Sequence, residues 1–151
     1  MEDIFIALME RIAALMPELS LIDEDYGQLE MGIDEDSYPV TFPCVLISDV
    51  ISDWNDIGLG AQKSMSSITL RLALDCYHDT SFASGTYDAV RNRLLFANRL
   101  YKAVQGFVPA DSCSELVRVK ERSYALPHYI KVYEKVFTFT LHDESAMADN
   151  D

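Results

Sequence analysis

Hydrophobic positions recur at helical spacing from the start of the chain. Ile4, Leu8, Ile12 and Leu15 fall at i, i+4, i+8 and i+11, flanked by Phe5 and Met16, and predict a helix over residues 3–16. Glu2 and Asp3 suit the positive end of its dipole, and Pro17 disfavours helical geometry at Met16. The pattern then dissolves. Acids cluster at 23–25 and 34–36, and Gly27, Gly32 and Pro39 interrupt any period, so residues 18–41 read as a long acidic loop with one edge strand over 28–33.

Residues 42–47 are apolar on both faces and rich in strand formers, as a strand buried on both sides requires. Asp49 and Asp53 take its continuation toward Trp54 out of the core, and Gly58 and Gly60 place a hairpin turn or loop within 55–62. Residues 64–77 alternate: Ile68, Leu70, Leu72, Leu74 and Cys76 share one face, with Thr69, Arg71, Ala73 and Asp75 on the other. This predicts a half-buried strand antiparallel to the preceding one. A helix over 87–105 follows, capped by Thr86 and ended by Gly106. Its stripe of Val90, Leu94, Ala97, Tyr101 and Val104, edged by Tyr87 and Leu100, should face the sheet.

Two strands close the pattern, over 116–124 and 130–141. The second changes phase between Val132 and Phe137, which calls for a bulge at 134–136 or a strand passing between two environments. These elements describe one α+β domain over residues 1–144, with a mixed or mostly antiparallel sheet of four to five strands and two helices packed on one face. Residues 145–151 read as a disordered acidic tail.

Five apolar side chains lack a place in that core. Leu95 and Phe96 lie off the helix stripe among Arg91, Arg99 and Lys102, while Trp54, Ile57 and Leu59 cluster in a polar stretch. All five are candidates for a subunit contact, where aromatic anchors are enriched; for the Trp54 cluster the alternative is a loop folded back over the core edge.

At 151 residues the chain is the size of a single domain. Its longest apolar runs, 4–9 and 42–47, fall far short of the ~18 residues of a membrane-spanning helix. The acidic start lacks the basic region of a signal peptide, and Cys44, Cys76 and Cys113 are odd in number and widely spaced, so free thiols inside a cell are expected. The net charge of −13 argues against nucleic-acid binding, although Arg91, Arg93, Arg99 and Lys102 could form a local basic patch. The excess is uneven: residues 1–60 hold fourteen acids and the single base Arg11, while 61–151 hold eleven of each.

No motif declares a chemistry. Gly58-Leu59-Gly60 lacks the further glycine or lysine of a phosphate loop. Cys76, His78 and Asp79 lack a matching pair to complete a zinc site, and neither acidic cluster has the spacing of a calcium loop. Cys113, His78, His128 and His142 sit in no nucleophile signature. No catalytic, cofactor-binding or metal-binding residue is therefore assigned.

The element order, carried by Phe42-Pro43-Cys44-Val45-Leu46-Ile47, by the alternating Ser67-Ile68-Thr69-Leu70-Arg71-Leu72-Ala73-Leu74 and by the helix over 87–104, resembles the tail terminator, or tail completion, proteins of long-tailed bacteriophages and prophages. The resemblance implies helices on one face of a mixed or antiparallel sheet. It further implies a homo-oligomeric ring, typically a hexamer, that caps the tail tube, stops its growth and docks the head connector. Such a protein has no catalysis, cofactor, membrane or small-molecule substrate, and acts in the bacterial host cytoplasm during assembly and then in the virion tail. The acidic excess would keep DNA from sticking to a channel wall. From another class, a small acidic module could recognise a basic protein through residues 21–38. An enzyme with an unsignatured pocket ranks last.

Overall fold

The computed structural model describes residues 2–32, 38–76 and 88–147, and within them three helices and six strands. In chain order these are α1 (Glu2–Leu15), β1 (Leu21–Glu24), α2 (Gln28–Met31), β2 (Cys44–Ile47), β3 (Ile51–Gly58), β4 (Ala61–Asp75), α3 (Asp88–Val104), β5 (Val117–Leu126) and β6 (Ile130–Asp143). The sheet runs β1-β2-β4-β6-β5, and β3 takes the remaining length of the β4 edge that carries β2. β1 and β2 are parallel and every other pairing is antiparallel, so the architecture is α+β with an open, mostly antiparallel sheet. Its spine is the β4–β6 ladder, unbroken from Gln62 opposite Asp143 to Asp75 opposite Ile130. The predicted cap Thr86, the loop holding His78 and Asp79, the acids at 34–36 and the last residues of the tail lie outside the described residues.

On one face α1 and α3 cover Val45, Ile47, Ile68, Leu70, Leu72 and Phe137. α1 contributes Ile4, Leu8, Ile12 and Met16. Leu15, expected in that stripe, is exposed, because the Met16 N–H still donates to the Ile12 carbonyl at 2.8 Å and the extra turn carries Met16 inward. α3 is likewise rotated from expectation: Ala97, Leu100, Ala103 and Val104 are buried, while Leu94 points outward. The cause is a second neighbour. α3 packs on α1 as well as on the sheet, with Arg11 Nε donating to the Ala103 carbonyl at 3.0 Å, so its buried arc lies between two contact directions.

The opposite face is covered at one end. Residues 28–31 form the short helix α2 rather than an edge strand, and the strand of this region is β1, seven residues earlier. Gln28 holds the turn between them: its amide accepts from the Tyr26 N–H at 2.9 Å and donates to the Glu24 carbonyl at 2.8 Å. Leu29 of α2 packs on Cys44, Leu46, Ala73, Ile130 and Val132. This second, smaller core explains two sequence features. β4 is buried on both faces at Arg71 and Ala73, and β6 changes phase without a bulge because Ile130 and Val132 serve one core while Tyr133, Phe137, Phe139 and Leu141 serve the other. The register shifts lie elsewhere, in β5 against β6 between Arg118 and Lys120 and in β3 against β4 between Asp56 and Gly58.

Candidate functional site

Of the five interface candidates, three share the β3–β4 hairpin. Trp54 and Ile57 lie on β3, not in a loop, and Leu59 stands at the tip with 88% of its surface exposed. Gly58, Leu59 and Gly60 all have positive φ, at 102°, 58° and 87°. Glycine accepts this freely, whereas a leucine held there costs about 1 kcal/mol or more. The strained backbone therefore presents an apolar side chain to solvent.

Strand register places Trp54, opposite Ser64, on the helix-covered side of the sheet. The other side of the hairpin shows Ile51 and Met65, both exposed and both missed by sequence reasoning. Beyond the shelter of α2 that side continues through half-exposed Ser67, Thr69, Val136, Thr138 and Thr140 to exposed Val117. The signal for Met65 was present, since its parity matches Thr69 and Arg71 rather than Leu70.

Leu95 and Phe96 sit elsewhere, on α3. Leu95 is exposed beside Leu94, whose exposure was not anticipated, and the two line a shallow hollow with Val90 and Arg91. Phe96 departs from expectation: it packs against the main core and carries the Arg99 guanidinium 5.5 Å above its ring, so the fold itself accounts for it. Arg99 in turn bonds Glu18 at 3.0 Å and the Leu15 carbonyl at 3.1 Å, which takes it out of any free basic patch.

A cleft of about 370 Å³ opens between α3 and the β5–β6 pair, lined by Leu94, Ala97, Asn98, Glu121, Tyr133 and Lys135 among others. Its charges are paired internally. Lys135, nearly buried, donates to Glu121 at 3.0 Å and holds that carboxyl below its ordinary range, and Arg122 bonds Glu134 at 2.6 Å. Among the described residues no thiol or imidazole lines it. His142 and Ser112 share a separate hollow with Asp111 and Glu144, joined by a backbone bond from the His142 N–H to the Ser112 carbonyl at 2.8 Å. Among the described residues the Ser112 hydroxyl has no hydrogen bond to the imidazole, and no group of His, Cys, Asp and Glu could hold a metal ion. Burial pushes the Cys44 thiol up to about 12 and the Cys113 thiol up to about 11, far from a reactive thiolate at neutral pH.

Part of the acidic segment faces inward. Arg71 spends all five N–H donors on it and its surroundings: two on Asp25 at 2.7 and 2.9 Å, two on Glu30, and one on the Tyr124 hydroxyl at 3.2 Å. Burial works against the Arg71 charge, but the hydrogen bonds it donates to Glu30, Asp25 and Tyr124 outweigh it and raise its pKa. The Arg71 hydrogen bonds lower that of Glu30.

No family model and no curated protein matches the sequence. Among solved structures, the fold is similar to that of a chain in the virion of a native gene transfer agent particle, with a TM-score of 0.56 and 11% sequence identity over 92% of this chain and 94% of that one. At such low identity the likeness establishes a shared fold, end to end.

Proposed function

We propose that this chain is a structural, non-catalytic protein of a phage-like particle, and within such a particle a tail terminator: a ring that caps the tail tube and joins it to the head connector. The observation that carries the reading is the likeness of fold to a virion chain over nearly the full length of both. It is supported by the exposed apolar side chains of the β3–β4 hairpin and of α3, which give one protomer two separate patches. A closed ring of identical subunits needs two such unlike surfaces. The reading of the acidic loop as a docking site for a basic partner loses ground, because Asp25 and Glu30 are engaged by the chain's own Arg71.

The test is genetic and structural. Particles assembled without this chain should show detached heads and tails and a wide spread of tube lengths in electron micrographs. Joined particles with uniform tails would refute the assignment. In solution, light scattering at rising concentration should detect a ring-sized species that Leu59→Asp or Leu95→Asp diminishes, with circular dichroism unchanged.

A further inference from the structure

Among the described residues β3 pairs with β4 alone and β5 with β6 alone, so the sheet has an unpaired edge at each of these strands. Folded proteins normally guard such edges with lysine, proline, bulges or brevity. β5 is guarded, by its bulge and by Arg118, Lys120 and Arg122. β3 is eight residues long and its own register shift is confined to the hairpin tip, between Asp56 and Gly58; it has no proline and no base, exposes Ile51 and Ile57, and carries two charges, Asp53 and Asp56. Among the described residues β1 is a third open edge; of the two longer ones, β5 is net basic, with three bases to the single acid Glu121 although Arg118 and Arg122 are paired within the chain to Glu121 and Glu134, and β3 is acidic.

Strand direction fits a join between them. β3 and β6 run one way, β4 and β5 the other. A copy generated by rotation about an axis roughly along the strands keeps these directions, so β5 of one copy meets β3 of the next antiparallel and the alternation continues. β3 lies opposite residues 61–67 of β4, whereas β5 lies level with 67–75. Joining them tilts the strands against the axis, the stagger that closing a sheet requires.

Resting on the ring reading above, we infer that the basic β5 edge of one protomer pairs with the acidic β3 edge of a second copy of this chain, through main-chain hydrogen bonds with opposite charges across the seam. The contact is heterologous and closes by repetition.

Asp53 and Lys120 provide the test, since both are exposed and neither has an ion partner among the described residues. Asp53→Lys alone sets like charges across every seam, as does Lys120→Asp alone. Each variant should lose the ring-sized species in light scattering while keeping its circular dichroism. An equimolar mixture of the two should recover it, because alternating subunits restore opposite charges at every seam. A ring that survives both substitutions, or is lost and not recovered on mixing, overturns the edge pairing and leaves the ring standing. A native chain that has the mass of one protomer at every concentration overturns the ring itself.

Discussion

Replacing Arg71 with leucine tests what holds α2 and β1 on the outer face of the sheet. The guanidinium is 9% exposed and its partner Asp25 15%, so removing the cation leaves a carboxylate that is still covered but has lost its countercharge. Breaking a buried pair in this way costs about 3–5 kcal/mol. Glu30, 54% exposed, adds little, because solvent screens it to less than about 1 kcal/mol. For a domain of this size the total corresponds to a fall in Tm of about 6–20 °C. Urea unfolding followed by circular dichroism would measure it. A companion variant carrying Arg71→Met and Asp25→Asn removes both buried charges and should recover more than half of the loss. The Glu30 carboxyl is held below its ordinary 4.5 in the folded chain, so its share of stability is complete above that pH and is lost as pH falls through the lower, folded value. The gap between native chain and Arg71→Leu should therefore narrow below pH 4.5. A loss smaller than about 1 kcal/mol at pH 7 would show that the apolar contacts of Leu29 hold this face unaided and that the ion cluster is incidental.

The rotation of α3 can be read by truncation: Leu100→Ala should cost about 2–5 kcal/mol and Leu94→Ala less than about 0.5 kcal/mol, whereas the sequence-derived stripe, with Leu94 within it and Leu100 at its edge, would make Leu94 costly too. At the hairpin tip, a methyl group added to Gly60 would overlap the backbone carbonyl of Ala146, whereas one added to Gly58 meets open space. Both positions have positive φ, so both alanine variants should be destabilised in thermal melts, Gly60→Ala more than Gly58→Ala. Iodoacetamide at pH 8, followed by peptide mass mapping, should leave Cys44 and Cys113 of the native chain unmodified, because both thiols are buried and titrate near 12 and 11; rapid labelling of either would mean that its core opens.

What the sequence could reveal was set by the range of the interactions concerned. α1, the buried β2 and the alternating β4 are local patterns, and each formed where its period placed it. The acids near β1 looked like a solvated loop because what organises Asp25 and Glu30 is Arg71, 46 and 41 residues further along the chain. No window of sequence contains that relation. The α3 stripe was misplaced because a helix against one sheet and a helix wedged between sheet and helix bury different arcs of the same surface. Among the interface candidates, Trp54, Ile57, Leu59 and Leu95 stood out as apolar residues without a core to enter, and they are solvent-facing in the folded chain. Phe96 did not stay with them because an aromatic ring can lie flat along a core edge beneath an arginine, an arrangement that periodicity does not register.

The long β4–β6 ladder also dictates when the chain can fold. β6 comes last of the described elements in chain order, yet it stands in the interior of the sheet and joins β5 to everything made before it. The ladder must close a loop that contains α3 and β5 before any of its pairings forms, an entropic barrier that slows folding. The β5–β6 hairpin, by contrast, is local and can form early. A nascent chain halted before β6 would hold β4 with one long open flank and neither sheet core complete, a template for the wrong partners. Competence to fold, and with it competence to assemble, is in this way deferred until the ribosome has delivered β6.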